Sequence, residues 1–205
     1  MKKIEFIIPT YNRPDKLMIV LMSLKVQTVD RWKVHVVADA LYEGYQEVKE
    51  YFKNDNRFRF SELNGPHKDW GHTARNYGLQ NLEEHWVVMS GDDNYYVPVF
   101  VETFLNEAKF RNDVNFIHCN LVHNWVNNDY LPLISVPQVN RIDIGNFMTK
   151  SEYAKQLTLD VTKANADGIF EDDACTTPAP TQYYTDGRGS CWYWNGSTLS
   201  NQGGC

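Results

Sequence analysis

Two hydrophobic periods take turns along the first half of this chain, and that alternation restricts the folds open to it more than any bulk property does. Ile4 to Ile8 is a short apolar run of strand type. Asp15 to Gln27 follows with Leu17, Val20, Leu21 and Leu24 at helical spacing. Val34 to Ala38 reads as the next strand, Tyr45 to Phe52 as a helix, and Phe58 to Leu63 as an alternating strand. After a loop from Asn64 to Gly71, Thr73 to Leu82 reads as a third helix, ahead of a strand at Trp86. This βαβαβαβ order predicts an α/β fold, a mostly parallel sheet covered by helices on both faces, with ligands bound beyond the carboxyl ends of the strands. Pro9, Asp39 and Asp92 all fall at such ends.

The strand Trp86-Val87-Val88-Met89 stops abruptly at Ser90-Gly91-Asp92-Asp93-Asn94. A buried strand ending this way delivers two carboxylates to one spot at the sheet edge. Two close carboxylates repel each other, so a hard cation, Mg2+ or Mn2+, held between them and a phosphate is a natural third party. Asp-Asp-Asn after a strand is also ordinary turn chemistry, and the motif alone favours the turn.

Beyond Pro98, Val99 to Phe110 reads as a helix with Phe100, Phe104 and Ala108 on one face, and Val114 to Val122 as a strand. Asn127-Asn128-Asp129 marks a hairpin or loop. Arg141 to Phe147 and a helix-like Ser151 to Leu157 precede the acidic cluster Asp167-Gly168-Ile169-Phe170-Glu171-Asp172-Asp173. From Thr176 the composition changes to Thr, Pro, Gly, Ser, Asn and Tyr around Trp192 and Trp194. Poor in aliphatic residues, this segment reads as an irregular appended tail.

With 205 residues of which 42% are hydrophobic, the chain suits one substantial core. Its net charge of -6 and lack of a Lys/Arg cluster argue against a nucleic-acid partner. No apolar run is long enough for a membrane span or a signal peptide, which leads to the expectation of a cytoplasmic address. Cys119 reads as a core residue, and Cys175, Cys191 and Cys205 as free thiols, since no pair has the two-residue spacing of a zinc knuckle.

Three motifs carry a resemblance: Ile7-Ile8-Pro9-Thr10-Tyr11-Asn12-Arg13, then Ala74-Arg75-Asn76-Tyr77-Gly78-Leu79, then Gly91-Asp92-Asp93 before Pro98. In this order they are similar to the family-2 glycosyltransferases of GT-A fold, over roughly residues 4 to 173. The resemblance implies a metal-dependent, inverting transfer of sugar from a nucleotide-sugar donor, a UDP-sugar, to a saccharide or other hydroxyl acceptor. It divides the chain into a nucleotide-sugar-binding half (1–98), an acceptor-binding half of the same domain (99–175) and the tail (176–205). Pro9, Thr10, Tyr11 and Arg13 would then lie against the donor, with the Tyr11 ring suited to a nucleobase. Asp39 matches the acid that accepts the uracil N3–H, and Arg75 the cation that contacts the diphosphate or orients nearby carboxylates.

Ser90 stands where many members carry a ribose-contacting acid, and Gly91, Asp92 and Asp93 follow, one or both acids holding Mn2+ or Mg2+. Asp172, with Glu171 beside it and Asp167 in reserve, falls where the family places the base that activates the acceptor. Against this enzyme stand two other readings, a GT-A-like binding module without turnover and a structural or chimeric protein. In the first of these, Trp192, Tyr193 and Trp194 would offer flat faces to sugars.

Overall fold

The computed structural model describes residues 2–111, 113–123, 130–137 and 142–159, and the backbone of the strands within 182–185, 190–194 and 199–204. The chain opens β1 (Ile4–Thr10), α1 (Pro14–Lys25), β2 (Trp32–Ala38), α2 (Tyr45–Phe52), β3 (Phe58–Glu62), α3 (His72–Gln80) and β4 (Trp86–Met89), in the order the sequence predicts. It continues with α4 (Phe100–Phe110), β5 (Phe116–His118), β6 (Leu121–His123), β7 (Leu131–Leu133), β8 (Phe147–Lys150) and α5 (Ser151–Ala154).

Six of these strands form one sheet in the order β3-β2-β1-β4-β8-β5. The first four run parallel, while β8 lies antiparallel to both β4 and β5. The residues after Pro98 therefore complete the same sheet. Central β1 is buried at all seven positions, as expected of a parallel strand covered on both faces. Alternate side chains then serve two cores. Ile4, Phe6 and Ile8 pack with Leu17, Leu21 and Leu24 of α1, Val48 and Phe52 of α2, and Phe100 and Phe104 of α4. Ile7, Val87 and Met89 face the other way, onto Leu79 of α3, Ala154 of α5 and Leu157.

One charge interrupts β1. Glu5 is buried, and its carboxylate accepts from Arg59 at 2.8 Å and from the amides of Glu83 and Glu84 at 2.7 and 3.1 Å. Such full pairing is what lets a carboxylate sit inside a sheet.

Two expectations are corrected. The strand predicted over Val114 to Val122 is two strands, because Asn146 grips the chain at the break: Cys119 N–H donates to Asn146 O at 2.9 Å and Asn146 Nδ2 donates to Cys119 O at 2.7 Å. From there β6 pairs antiparallel with β7, and Asn127-Asn128-Asp129, read as a hairpin or loop, lies outside the described residues. The tail is not irregular: β9 (Gln182–Thr185), β10 (Ser190–Trp194) and β11 (Leu199–Gly204) form an antiparallel sheet in the order β11-β10-β9. Reading irregularity from the lack of aliphatics gave too little weight to Tyr183, Tyr184, Trp192, Tyr193 and Trp194, since aromatic residues favour strands as branched aliphatics do. Among the described residues no helix is long and apolar enough to cross a membrane.

Candidate active site

Because β1 lies between β2 and β4, their carboxyl ends converge. Asp39 N–H donates to Thr10 O at 2.9 Å, and Ser90 N–H donates to Ile7 O at 2.8 Å, so the backbone itself ties the three ends together. After Thr10 the chain turns through Asn12, held at a φ of 54°, a conformation that Asn tolerates better than most residues. Pro14, at the first position of α1, then fixes the direction of the helix.

This turn aims two side chains of the first motif at the acid pair. Thr10 Oγ1 donates to Asp92 Oδ2 at 2.8 Å and in turn accepts from the Tyr42 hydroxyl at 2.8 Å. Arg13 spreads its fork over both acids, with Nη2 2.6 Å from Asp92 Oδ1 and Nη1 3.1 Å from Asp93 Oδ2. Asp92 is fully buried, and burial pushes its carboxyl above the usual range against the opposing pull of Arg13 and Thr10. Its Oδ1 is close to Arg13 but outside hydrogen-bond geometry, so it keeps a lone pair without a directed partner. Asp93 is half exposed, and Gly91 gives it room: a Cβ at Gly91 would stand 2.7 Å from Asp93 Oδ1. Two hard carboxylate oxygens, one buried with a free lone pair and one open to solvent, fit a divalent cation. Among the described residues no group of three His, Cys, Asp or Glu side chains forms a complete cage.

Behind the acids, α3 begins at the same edge. Asp69 binds its first turn, accepting from the amides of Gly71 and Thr73 at 3.1 and 2.8 Å and from the Thr73 hydroxyl. Burial would raise the Asp69 carboxyl, but these bonds outweigh it and hold the group below its usual range. Arg75 donates to Trp70 O at 2.8 Å and Ser90 O at 3.3 Å, while its buried Nε has no hydrogen-bond partner. Burial lowers the Arg75 guanidinium, and the carboxylates of Asp143, Asp92, Asp93 and Asp69 pull it back up. Arg75 is thus the positive centre of an acidic ring.

Asp39 stands at the end of β2 and is buried. Its Oδ2 accepts from the His67 amide at 2.8 Å, and its Oδ1 lies 2.5 Å from His67 Nδ1. The loop between β3 and α3 is pinned to β2 through these bonds.

The structure brings Thr10, Arg13, Arg75, Asp92 and Asp93 together, with Asp39 one residue past β2 on the same edge. Tyr11 is 44% exposed there, its ring edge-on to Tyr42 at 6.2 Å between centroids. Pro9 is buried, placed so that a Cβ on Gly71 would meet it at 2.8 Å; it supports α3 rather than facing solvent. Ser90 is fully buried, and its hydroxyl is engaged with Tyr96 at 2.8 Å, Asn94 at 3.2 Å and Gly91 O at 3.0 Å. At the place where many members carry a ribose-contacting acid, Ser90 therefore has no exposed atom to offer a ribose, and its carbonyl accepts from Arg75. Asp167, Glu171, Asp172 and Asp173 lie outside the described residues. Sequence reasoning missed Tyr42, His67 and Asp143, which reach the site from loops whose residue types signal only turns.

A parallel sheet with its ligand edge built this way, extended by antiparallel strands, is the GT-A architecture. The sequence model of glycosyl transferase family 2 matches residues 5–170, and the chain belongs to that family. An uncharacterized glycosyltransferase of Rickettsia felis is 25% identical over 127 residues, which are 61% of this chain and 20% of that protein. The crystal structure of S. aureus TarS 1-349 in complex with UDP superposes with a TM-score of 0.64 at 18% identity, covering 89% of this chain and 60% of that one. The mannosyltransferase PcManGT from Pyrobaculum calidifontis, in complex with GDP-Man and Mn2+, gives 0.57 at 18% identity over 82% of this chain and 50% of that one. This chain spans a fifth of the curated relative's length and 50–60% of these structures.

Proposed function

We propose that this chain transfers a sugar from a nucleoside-diphosphate donor, a UDP-sugar, to a hydroxyl of a saccharide or other acceptor, with inversion at the anomeric carbon. The observation that carries this reading is the cluster of Thr10, Arg13, Arg75, Asp92 and Asp93, joined by short contacts at the ends of β1 and β4 and the start of α3. Asp92 and Asp93 would hold Mn2+ or Mg2+, which when bound neutralises the charge that develops on the leaving diphosphate.

The chain's own groups do the rest. Thr10 orients the Asp92 carboxylate, and Arg13 neutralises the acids until a cation takes its place. Arg75, fixed by two carbonyls, keeps a positive charge beside the phosphate position without collapsing onto the acids. The Tyr11 ring is free to lie against the base. Asp172, or Glu171 next to it, would take the proton from the acceptor hydroxyl, a role that rests on the family resemblance. The complexes of the two structural neighbours with UDP and with GDP-Man lend support to a nucleotide-sugar donor.

Hydrolysis of a panel of nucleotide sugars with Mn2+ tests the reaction, and calorimetric titration of UDP tests the site. Replacing both Asp92 and Asp93 by Ala should abolish Mn2+-dependent UDP binding. A protein that hydrolyses none of the panel, or a double variant with unchanged UDP affinity, would refute the proposal.

A further inference from the structure

The approach to α3, Lys68-Asp69-Trp70-Gly71, holds a conformation that its residues do not favour. Lys68 and Trp70 have φ of 57° and 58°, in the left-handed region. For a bulky aromatic residue that is a genuine outlier, and it persists only where the surroundings over-determine it. Asp69 supplies the constraint. It is buried, its carbonyl accepts from His72 N–H at 3.1 Å, and its carboxylate takes the amides of Gly71 and Thr73 and the Thr73 hydroxyl. The bond to Gly71 reaches beyond the helix end. Gly71 N–H and Trp70 C=O belong to one peptide, and a planar trans peptide points them in opposite directions. Asp69 Oδ1 holds the N–H end of that plane at 3.1 Å, and Arg75 Nη1 donates to its oxygen end at 2.8 Å. Carboxylate, peptide and guanidinium thus form a chain in which each bond polarises the next. The amides of Gly71, His72 and Thr73 are all engaged by Asp69, which leaves Arg75, rather than these amides, to meet an anion at this end of α3.

Resting on the donor reading above, we propose that Asp69 is a positioning residue for the transfer: through the Trp70–Gly71 peptide it sets the Arg75 guanidinium for the donor diphosphate. The neighbouring carboxylates of Asp143, Asp92 and Asp93 all pull on that guanidinium. Two carbonyls, Trp70 O and Ser90 O, hold it off them. Without Asp69 the peptide is released to turn over, and it then presents N–H where Arg75 needs an oxygen. Arg75 closes on the acids and is lost to the phosphates.

The test is a double-mutant cycle read as UDP affinity, by calorimetric titration of the whole chain with Mn2+. Asp69→Ala should weaken UDP binding by about tenfold, the scale of one hydrogen bond to a charged group. Made in an Arg75→Ala protein, the same change should cost nothing further, because no guanidinium is left to position. A residue that merely supported α3 would weaken both backgrounds alike. Asp69→Asn keeps the shape of the side chain and one acceptor, so the test survives an alanine variant that folds poorly. Its uncharged amide bonds about half as strongly, which predicts about a threefold loss with Arg75 present and none without it.

Equal losses in the two backgrounds overturn the inference and leave the donor reading standing. So does wild-type UDP affinity in either Asp69 variant. An Arg75→Ala protein that binds UDP as wild type does also overturns it, since Asp69 would then position a residue that the donor does not use. Wild type that binds no UDP removes the donor reading and this inference with it.

Discussion

At the scale of single residues, the acid pair is defined by who holds it when nothing else does. Arg13 bridges Asp92 and Asp93, an arrangement that neutralises two like charges brought together by the end of β4. A divalent cation held as proposed would take the same oxygens, so Arg13 and the metal would compete. Arg13 is 46% exposed while Asp92 is fully buried, which makes the arginine the partner free to swing away. A half-exposed ion pair contributes about 1 kcal/mol or less. Arg13→Ala should therefore bind Mn2+ alone more tightly, by up to about fivefold, as read by titration of free Mn2+ by electron paramagnetic resonance. Unchanged or weaker Mn2+ binding would mean that Arg13 organises the acids rather than competing for them. The pair of acids was readable from sequence because both sit in one run after one strand. The arginine's hold on them was not, since it joins residues some eighty positions apart and depends on a turn at Asn12.

Among the elements, α3 is the one whose placement decides the site, because its first turn carries Arg75 and its body must lie flat on β1. Gly78 makes that possible: a Cβ there would come within 2.5 Å of Ile7 Cγ2, and Ile7 is fully buried and stiff about its first side-chain torsion. Gly78→Ala gains about 1 kcal/mol of helix propensity and loses more to overpacking, typically about 1–3 kcal/mol. The expected result is a lower midpoint in urea unfolding with an unchanged slope. Ile7→Ala combined with Gly78→Ala should cost less than the sum of the two; strict additivity would show that the two residues do not press on each other. The alternation of periods forecast β1 to β4 and the three helices between them, because each segment is long enough to show its own period. The order in which strands join the sheet is not in that pattern. Nothing local in Phe147 to Lys150 announces that it pairs with β4, a partner some sixty residues earlier. Likewise the break after Cys119 comes from Asn146, far along the chain.

On the scale of the whole molecule, donor and acceptor functions are expected to divide along the chain. The proposed donor edge draws on residues before Pro98, with Asp143 and Gly145 reaching it from later in the chain. If Asp172 is the acceptor's base, Asp172→Asn should keep UDP affinity and slow sugar transfer by about 10²–10⁴-fold. Equal transfer by the variant and wild type would take Asp172 out of the chemistry. The C-terminal strands make a separate claim. Their register sets Trp192 opposite Tyr184 and Tyr193 opposite Tyr183, and among the described residues β9, β10 and β11 pair with one another and with no strand of the six-stranded sheet. Removing 176–205 should then leave the thermal midpoint and UDP affinity of the remaining chain close to those of the intact protein, since the two cores described here use no residue beyond Leu157. Transfer is where the two roles of this segment part. A truncated protein that transfers sugar at the wild-type rate marks the strands as an appendage. One that folds and binds UDP yet transfers nothing places them at the acceptor, where a sheet rich in aromatic residues can stack on sugar faces.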